Sequence, residues 1–189
     1  YQPEVSQGNL QVMFEYQTLI CQLTGMDVSN ASLYDGGSAT AEAVLLAMSA
    51  TKRHGKVVAA GTVHPEYRQI IETYFAPLDT EFVTISASGG SAPLDQLEAA
   101  GDDRTACVVL QHPNFFGCLE DVAAVARIAH QRDALLVLVC DPISLGLLKT
   151  PGDLGADVIR IEKVDGSEDR YTMQVGEGAE GEECVGGGY

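Results

Sequence analysis

Two periods of apolar spacing alternate along this chain. Short apolar-rich runs at 56–60 (KVVAA), 81–85 (EFVTI), 106–110 (ACVVL) and 135–139 (LLVLV) have the length of buried strands. Between them lie stretches of helical period. His64-Pro65-Glu66 opens one that reaches Phe75, with Pro at a tolerated first-turn position. Another spans Pro93 to Ala100 with Leu94 and Leu97 expected inward, and a third runs from Asp121 to Arg132 with Val122, Val125, Ala126, Ile128 and Ala129 on one face. Two helices precede this rhythm. Ser6 can cap the first, from about Gly8 to Thr24, which Gly25 stops. Its Leu10, Met13, Phe14, Tyr16, Gln17, Ile20 and Leu23 recur near helical spacing, so most of that face is expected in the core. The second starts at Ser38 and ends near His54 and Gly55, and Val158–Ile161 can add one more strand. Strands alternating with helices predict an α/β fold with a mostly parallel, helix-covered sheet.

The stretch Thr105 to Asp121, TACVVLQHPNFFGCLED, ends a strand at a Pro- and Gly-bearing elbow and restarts as a helix near Glu120 and Asp121. Open α/β sheets hold ligands at such strand tips. The strand at 135–139 crosses over in parallel and delivers Cys140 and Asp141 to the same edge before Pro142. An acid there can face a cationic ligand; equally, Asp141 can simply start a turn and Asn114 cap one. Asp35, Gly36, Gly37, Ser38, Ala39 and Thr40 place bare backbone and hydroxyls at a helix N-terminus, either an anion site or an ordinary Gly-rich cap. Their spacing matches neither the P-loop nor the dinucleotide fingerprint.

Composition narrows the function. With 189 residues and 46% apolar content, one sizeable core is expected. Eleven Lys and Arg against 27 Asp and Glu, a formal charge of −16, argue against nucleic acid as a partner. Five cysteines without C-x-x-C spacing suggest incidental thiols in a reducing compartment and no metal site. No run has the length of a membrane span, and YQPEVSQG is not a signal segment; the missing Met suggests a start further upstream. From residue 159 the composition changes: the last 31 positions hold seven of the 20 glycines and eight acids against three bases. Residues 159–189 are therefore expected to form a poorly ordered or divergent tail, with 1–158 as the folded unit.

Four segments, YQPEVSQGNLQVMFEYQTLICQLTGMDVSNASLYDGGSATAEAVLLA, HPEYRQIIETY, QHPNFFGCLED and CDPISLGLLKTPGDLGADV, together resemble the glycine cleavage system P-protein, the glycine decarboxylase. The resemblance is to its N-terminal half, or the first subunit where the enzyme is split, and runs from Tyr1 to about Val158. It implies an incomplete large domain of the aspartate-aminotransferase-like fold type I of pyridoxal phosphate enzymes. The implied reaction decarboxylates glycine and passes the aminomethyl group to the lipoyl arm of H-protein, with the cofactor as electron sink. The resemblance sets Asp141 where an acid pairs with the pyridinium nitrogen, His64 where a residue stacks on the ring, Gly36 to Thr40 at the phosphate, and Asn114 near the ring hydroxyl.

The Schiff-base lysine is the gap. Lys52, Lys56, Lys149 and Lys163 are the chain's lysines, and Lys163, in RIEKVDG, lacks the family's His-Lys-Thr context. Pyridoxal 5'-phosphate in the assembled enzyme is therefore expected to be bound covalently by the other half, leaving this half inactive alone. The expected partners are the catalytic half or second subunit, lipoylated H-protein and glycine, in a bacterial or archaeal cytoplasm, or in mitochondria for a eukaryotic source. Tyr1, Glu4 and Gln7, before the first helix, are candidates for a composite site or for simple surface packing. The resemblance fails after Val158, where Ile159 to Gln174 separate it from Val175-Gly176-Glu177-Gly178. The alternative function is a structural or regulatory interaction module with a decayed cofactor pocket.

Overall fold

In the computed structural model, residues 2, 4–87, 89–160 and, as backbone, 161 and 172–175 are described. Among the described residues seven strands form one sheet: β1 (Val28–Ser29), β2 (Lys56–Ala60), β3 (Glu81–Ile85), β4 (Thr105–His112), β5 (Leu135–Cys140), β6 (Val158–Ile161) and β7 (Thr172–Val175). Their spatial order is β1-β7-β6-β5-β4-β2-β3. The segment from β6 to β3 is parallel throughout, and β7 joins antiparallel to both β6 and β1. The central strands are apolar on both sides because helices cover both faces. α2 (Gly36–Thr51) and α3 (Pro65–Phe75) pack together on one, and α4 (Leu94–Ala100) and α5 (Val122–His130) on the other, as right-handed crossovers require.

α2 lies close on the sheet because its inward positions are small. Ala39, Ala41, Ala43, Val44 and Ala47 are all fully buried. In α5 Val122, Val125, Ala126 and Ala129 of the expected face are buried, and Ile128 is half-buried. Leu97 of α4 is buried as expected, whereas Leu94 stands at the exposed start of that one short helix.

α1 (Gln7–Thr24) departs from expectation. Gly25 ends it in the left-handed conformation, its N–H donating to Cys21 O, as the sequence implies. Ser6 occupies the cap position but makes no side-chain cap bond. Only Thr24 is buried; Leu10, Met13, Phe14 and Leu23 are exposed, Phe14 to 71%, and Tyr16, Gln17 and Ile20 are half-buried. The helical period was legible, but the surface that would cover this face is not among the described residues.

The expected division at residue 158 runs through β6. Ile159 and Arg160 are fully buried there, and β6 is hydrogen-bonded to both β5 and β7. Residues 162–171 and 176–189 of the expected tail, with Lys163, lie outside the described residues.

The sheet's two rims differ in chemistry. At the N-terminal rim Arg53 donates to the carbonyls of Thr105 and Arg132, while Lys56–Asp102 at 3.2 Å and Arg104–Glu81 at 2.9 Å form a solvent-facing ion-pair group. Such exposed pairs add little stability each. The C-terminal rim gathers the residues singled out by sequence.

Candidate functional site

Register places these residues on one edge. His112 of β4 pairs with Cys140 of β5, so the Asn114 loop and Asp141 leave the sheet at the same end. Next door, the turn after β2 is tied to that loop: Phe115 N donates to Thr62 O at 2.9 Å and His64 N to Gln111 Oε1 at 2.8 Å. α2 reaches the same rim from β6, where its first glycine meets Arg160.

Arg160 is fully buried. Its guanidinium carbon sits 4.4 Å from the centre of the Tyr67 ring, and Nη2 donates to the Tyr67 hydroxyl at 3.1 Å. A Cβ built on Gly36 would lie 1.5 Å from Nη2, so glycine is required there by the cation's approach. Gly37 has a different neighbour: a Cβ there would lie 2.1 Å from Ile70 Cδ1, the end of a side chain that could turn aside.

The helix start is capped from within the chain. Asp35 accepts from Ser38 N at 2.8 Å and from the Ser38 hydroxyl at 2.7 Å, so α2 begins at Gly36, two residues before the sequence-based start. Burial alone would raise the Asp35 carboxyl. Hydrogen bonds from the Ser38 and Gly37 amides and the Ser38 hydroxyl, with the Arg160 charge, hold it below the ordinary value instead. Thr40 turns its hydroxyl back to Gly36 O at 2.7 Å, and Ala39 is fully buried. Of the five residues from Gly36 to Thr40, only Ser38 directs a side chain at the capping carboxylate.

His64 caps α3, its Nδ1 accepting from Glu66 N at 3.2 Å. Its ring lies 4.6 Å from that of Tyr67 and 4.8 Å, edge to face, from that of Phe115. Guanidinium, phenol, imidazole and phenyl groups thus form one continuous row along the rim.

Asn114 is buried, and its amide is fully engaged. Nδ2 donates to Gly90 O and Glu120 Oε1, each at 2.7 Å, while Oδ1 accepts from Phe116 N and Cys118 N. Glu120, also buried, accepts from Ala92 N, and its own N–H donates to His112 Nδ1 at 3.0 Å. Burial lowers the His112 pKa, although the Glu120 charge opposes it. Both amide hydrogens that could reach a ring hydroxyl are spent, one on Glu120 in this loop and one on Gly90 in the segment before α4.

Asp141 is half-buried and caps the short 3-10 turn Pro142–Gly146, accepting from Ile143 N at 2.9 Å. Cys140, behind it, is pushed up to about 12 by burial, with the Arg160 cation working the other way. Burial also pushes the Cys107 thiol up. Among the described lysines, Lys52 follows the far end of α2, Lys56 opens β2 at the opposite rim, and Lys149 is exposed in the connection from β5 to β6. Glu4 and Gln7 are exposed at the start of α1, and Tyr1 lies outside the described residues.

Sequence reasoning missed Arg160, Tyr67 and Glu120. Tyr67 carried one signal, an aromatic three positions after the His64 helix start. Arg160 carried none, because a single cation between isoleucines reads as a solvated edge residue.

Residues 1–177 match the family described as glycine cleavage system P-protein. The chain is 54% identical over 158 residues to a probable glycine dehydrogenase (decarboxylating) subunit 1 of Carboxydothermus hydrogenoformans, covering 84% of this chain and 35% of that protein. The corresponding protein of Geobacillus kaustophilus is 50% identical over 159 residues, again 84% of this chain and 35% of its own length. The chain thus spans about a third of these curated relatives. Among solved structures, a glycine decarboxylase (P-protein) of the glycine cleavage system in inhibitor-bound form aligns with a TM-score of 0.86 at 41% identity, over 95% of this chain and 41% of that one. A sphingosine-1-phosphate lyase of Burkholderia pseudomallei aligns at TM-score 0.76 and 14% identity, over 94% of this chain and 47% of the lyase, which is a likeness of fold alone. The fold is the large domain of the fold type I pyridoxal phosphate enzymes, present in part. Fold, segment order and sequence identity agree: the chain belongs to the glycine cleavage system P-protein family.

Proposed function

We propose that this chain is a segment of the first subunit of a two-part glycine decarboxylase. In this reading a second subunit brings the Schiff-base lysine, and the pair decarboxylates glycine and hands the aminomethyl group to the lipoyl arm of H-protein. The observation that carries it is the match to the P-protein family over residues 1–177, together with relatives named as subunit 1. Those relatives are bacterial, and among the described residues no helix is long and apolar enough to cross a membrane; a cytoplasmic site of action is part of the same proposal.

The rim of this chain does not fit pyridoxal phosphate. Asn114 has no amide hydrogen to offer, Asp35 already occupies the first turn of α2, and the Arg160 guanidinium fills the space over Gly36. Lys52 and Lys56 stand away from this rim, and Lys149 is an exposed side chain in the connection from β5 to β6. The division of labour follows: the partner holds the cofactor, which supplies the electron sink when bound. This chain supplies surface. The exposed face of α1 and the adjoining Glu4 and Gln7 are the segment we assign to that contact, with Tyr1 of the same motif.

The filled rim also favours a second reading, a structural or regulatory module whose cofactor pocket has decayed. Reconstitution separates the two. Glycine-dependent exchange of carbon dioxide is expected from the pair and from neither part alone. Substituting Glu4 and Gln7 should lower exchange in a pair that still assembles if these residues serve a composite site; unchanged exchange would favour the module. Exchange by this chain alone would end both readings.

A further inference from the structure

We propose that Arg160 is an internal plug: its guanidinium occupies the space that the fold reserves for the cofactor, and it closes this rim to pyridoxal phosphate in the chain itself. The identity of that space rests on the family reading; the plug rests on geometry alone.

Three contacts define it. The guanidinium lies over the Tyr67 ring at 4.4 Å and donates to the Tyr67 hydroxyl at 3.1 Å. It packs on Gly36 so closely that a Cβ there would fall 1.5 Å from Nη2 and 2.4 Å from Cζ. It also faces the N-terminal end of α2, whose partial positive charge repels it. Asp35 resolves that conflict, because its carboxylate caps the helix and answers the buried cation together. A dianionic phosphate at the same helix start would meet Asp35, a like charge, and would find the space over Gly36 taken. Tyr67, the neighbour of His64 in the aromatic row, holds the plug by both its ring and its hydroxyl. A planar cation on an aromatic face suits a site shaped for a planar ring.

The test needs no activity. In the wild-type chain, Gly36→Ala should be strongly destabilising, lowering the melting midpoint by about 10 °C. In an Arg160→Ala background the same change should cost no more than about 2 °C, since the severe collision is gone and only the Tyr67 hydroxyl, 2.9 Å from the added Cβ and released from its guanidinium partner, must give way. A Gly36→Ala effect near zero in the wild type, or one of equal size in both backgrounds, would overturn the plug. If Arg160→Ala does not fold alone, guanidinium or methylguanidinium at millimolar concentration should restore a cooperative transition in it, raising its midpoint while leaving the wild type unchanged. Failure of that rescue alongside a mild wild-type Gly36→Ala effect overturns the proposal without any folded Arg160 variant.

Ligand uptake is read with 4'-deoxypyridoxine 5'-phosphate, which has no aldehyde and cannot label surface lysines. Equilibrium dialysis should find none retained by the wild-type chain. Stoichiometric retention would refute the plug while leaving the two-part enzyme intact. Conversely, coupling between positions 36 and 160 with no exchange in the reconstituted pair would keep the plug and discard the activity.

Discussion

Asn114 Nδ2 and Glu120 Oε1, six residues apart in one loop, are joined by a buried hydrogen bond of 2.7 Å. The same amide closes the loop on three more groups, and Glu120 anchors the segment before α4 through Ala92 N. Truncating Asn114 removes several bonds at once and leaves the buried Glu120 carboxylate with the Ala92 amide but without its side-chain donor. Asn114→Ala should therefore cost about 2–4 kcal/mol in denaturant unfolding of the chain. A loss under about 0.5 kcal/mol would mean that the loop is held by something else.

His112 makes stability depend on pH in a definite direction. Burial depresses its folded value below the ordinary 6.5, and its Nδ1 accepts the Glu120 N–H, which demands a neutral ring nitrogen. Between the depressed value and 6.5 the unfolded chain binds more protons than the folded one. The contribution is thus intact above 6.5 and is lost as pH falls through that window. His112→Gln should flatten the slope of unfolding free energy there, and an unchanged slope would assign the dependence to other groups.

The apolar face of α1 should behave as an interface and not as a core. Phe14 and Leu10 are 71% and 46% exposed. Phe14→Asp or Leu10→Asp should leave the stability of the chain within about 0.5 kcal/mol. Affinity for the second subunit should fall at least about tenfold, read by titration calorimetry or sedimentation. Unweakened association would move the contact elsewhere.

Gly152 sits where the connection from β5 to β6 crosses the end of α1. A Cβ there would lie 2.1 Å from Gly25 O, a backbone atom that cannot rotate away. Gly152→Ala should cost about 2 kcal/mol or more in thermal unfolding. Because the collision is with backbone, no side-chain deletion nearby should recover it, in contrast to the coupling expected between positions 36 and 160.

Much of the framework was legible because burial on both faces writes itself as apolar runs. KVVAA, ACVVL and LLVLV became β2, β4 and β5, and the crossover between the last two required their parallel pairing. The rim was legible for the same reason, since strand ends fix where Asn114 and Asp141 emerge. What those side chains do there was not, because their partners come from loops remote in sequence: Gly90 for Asn114 and, for α2, a cation on β6. α1 shows the complementary limit. Period reveals that a helix has an apolar face, but not which molecule covers it. Leu94 failed for a smaller reason, a seven-residue helix having too few turns for its first position to be sheltered.

The order of strands carries a consequence for synthesis. Val28–Ser29, synthesised early, has the strand Thr172–Val175 as its hydrogen-bonding neighbour, so its ladder stays open until well over a hundred further residues have left the ribosome. Until then Val158–Ile161 also presents one bare edge, available to any extended peptide nearby. Truncation just before residue 172 should therefore yield a chain that folds its centre and sticks at its border.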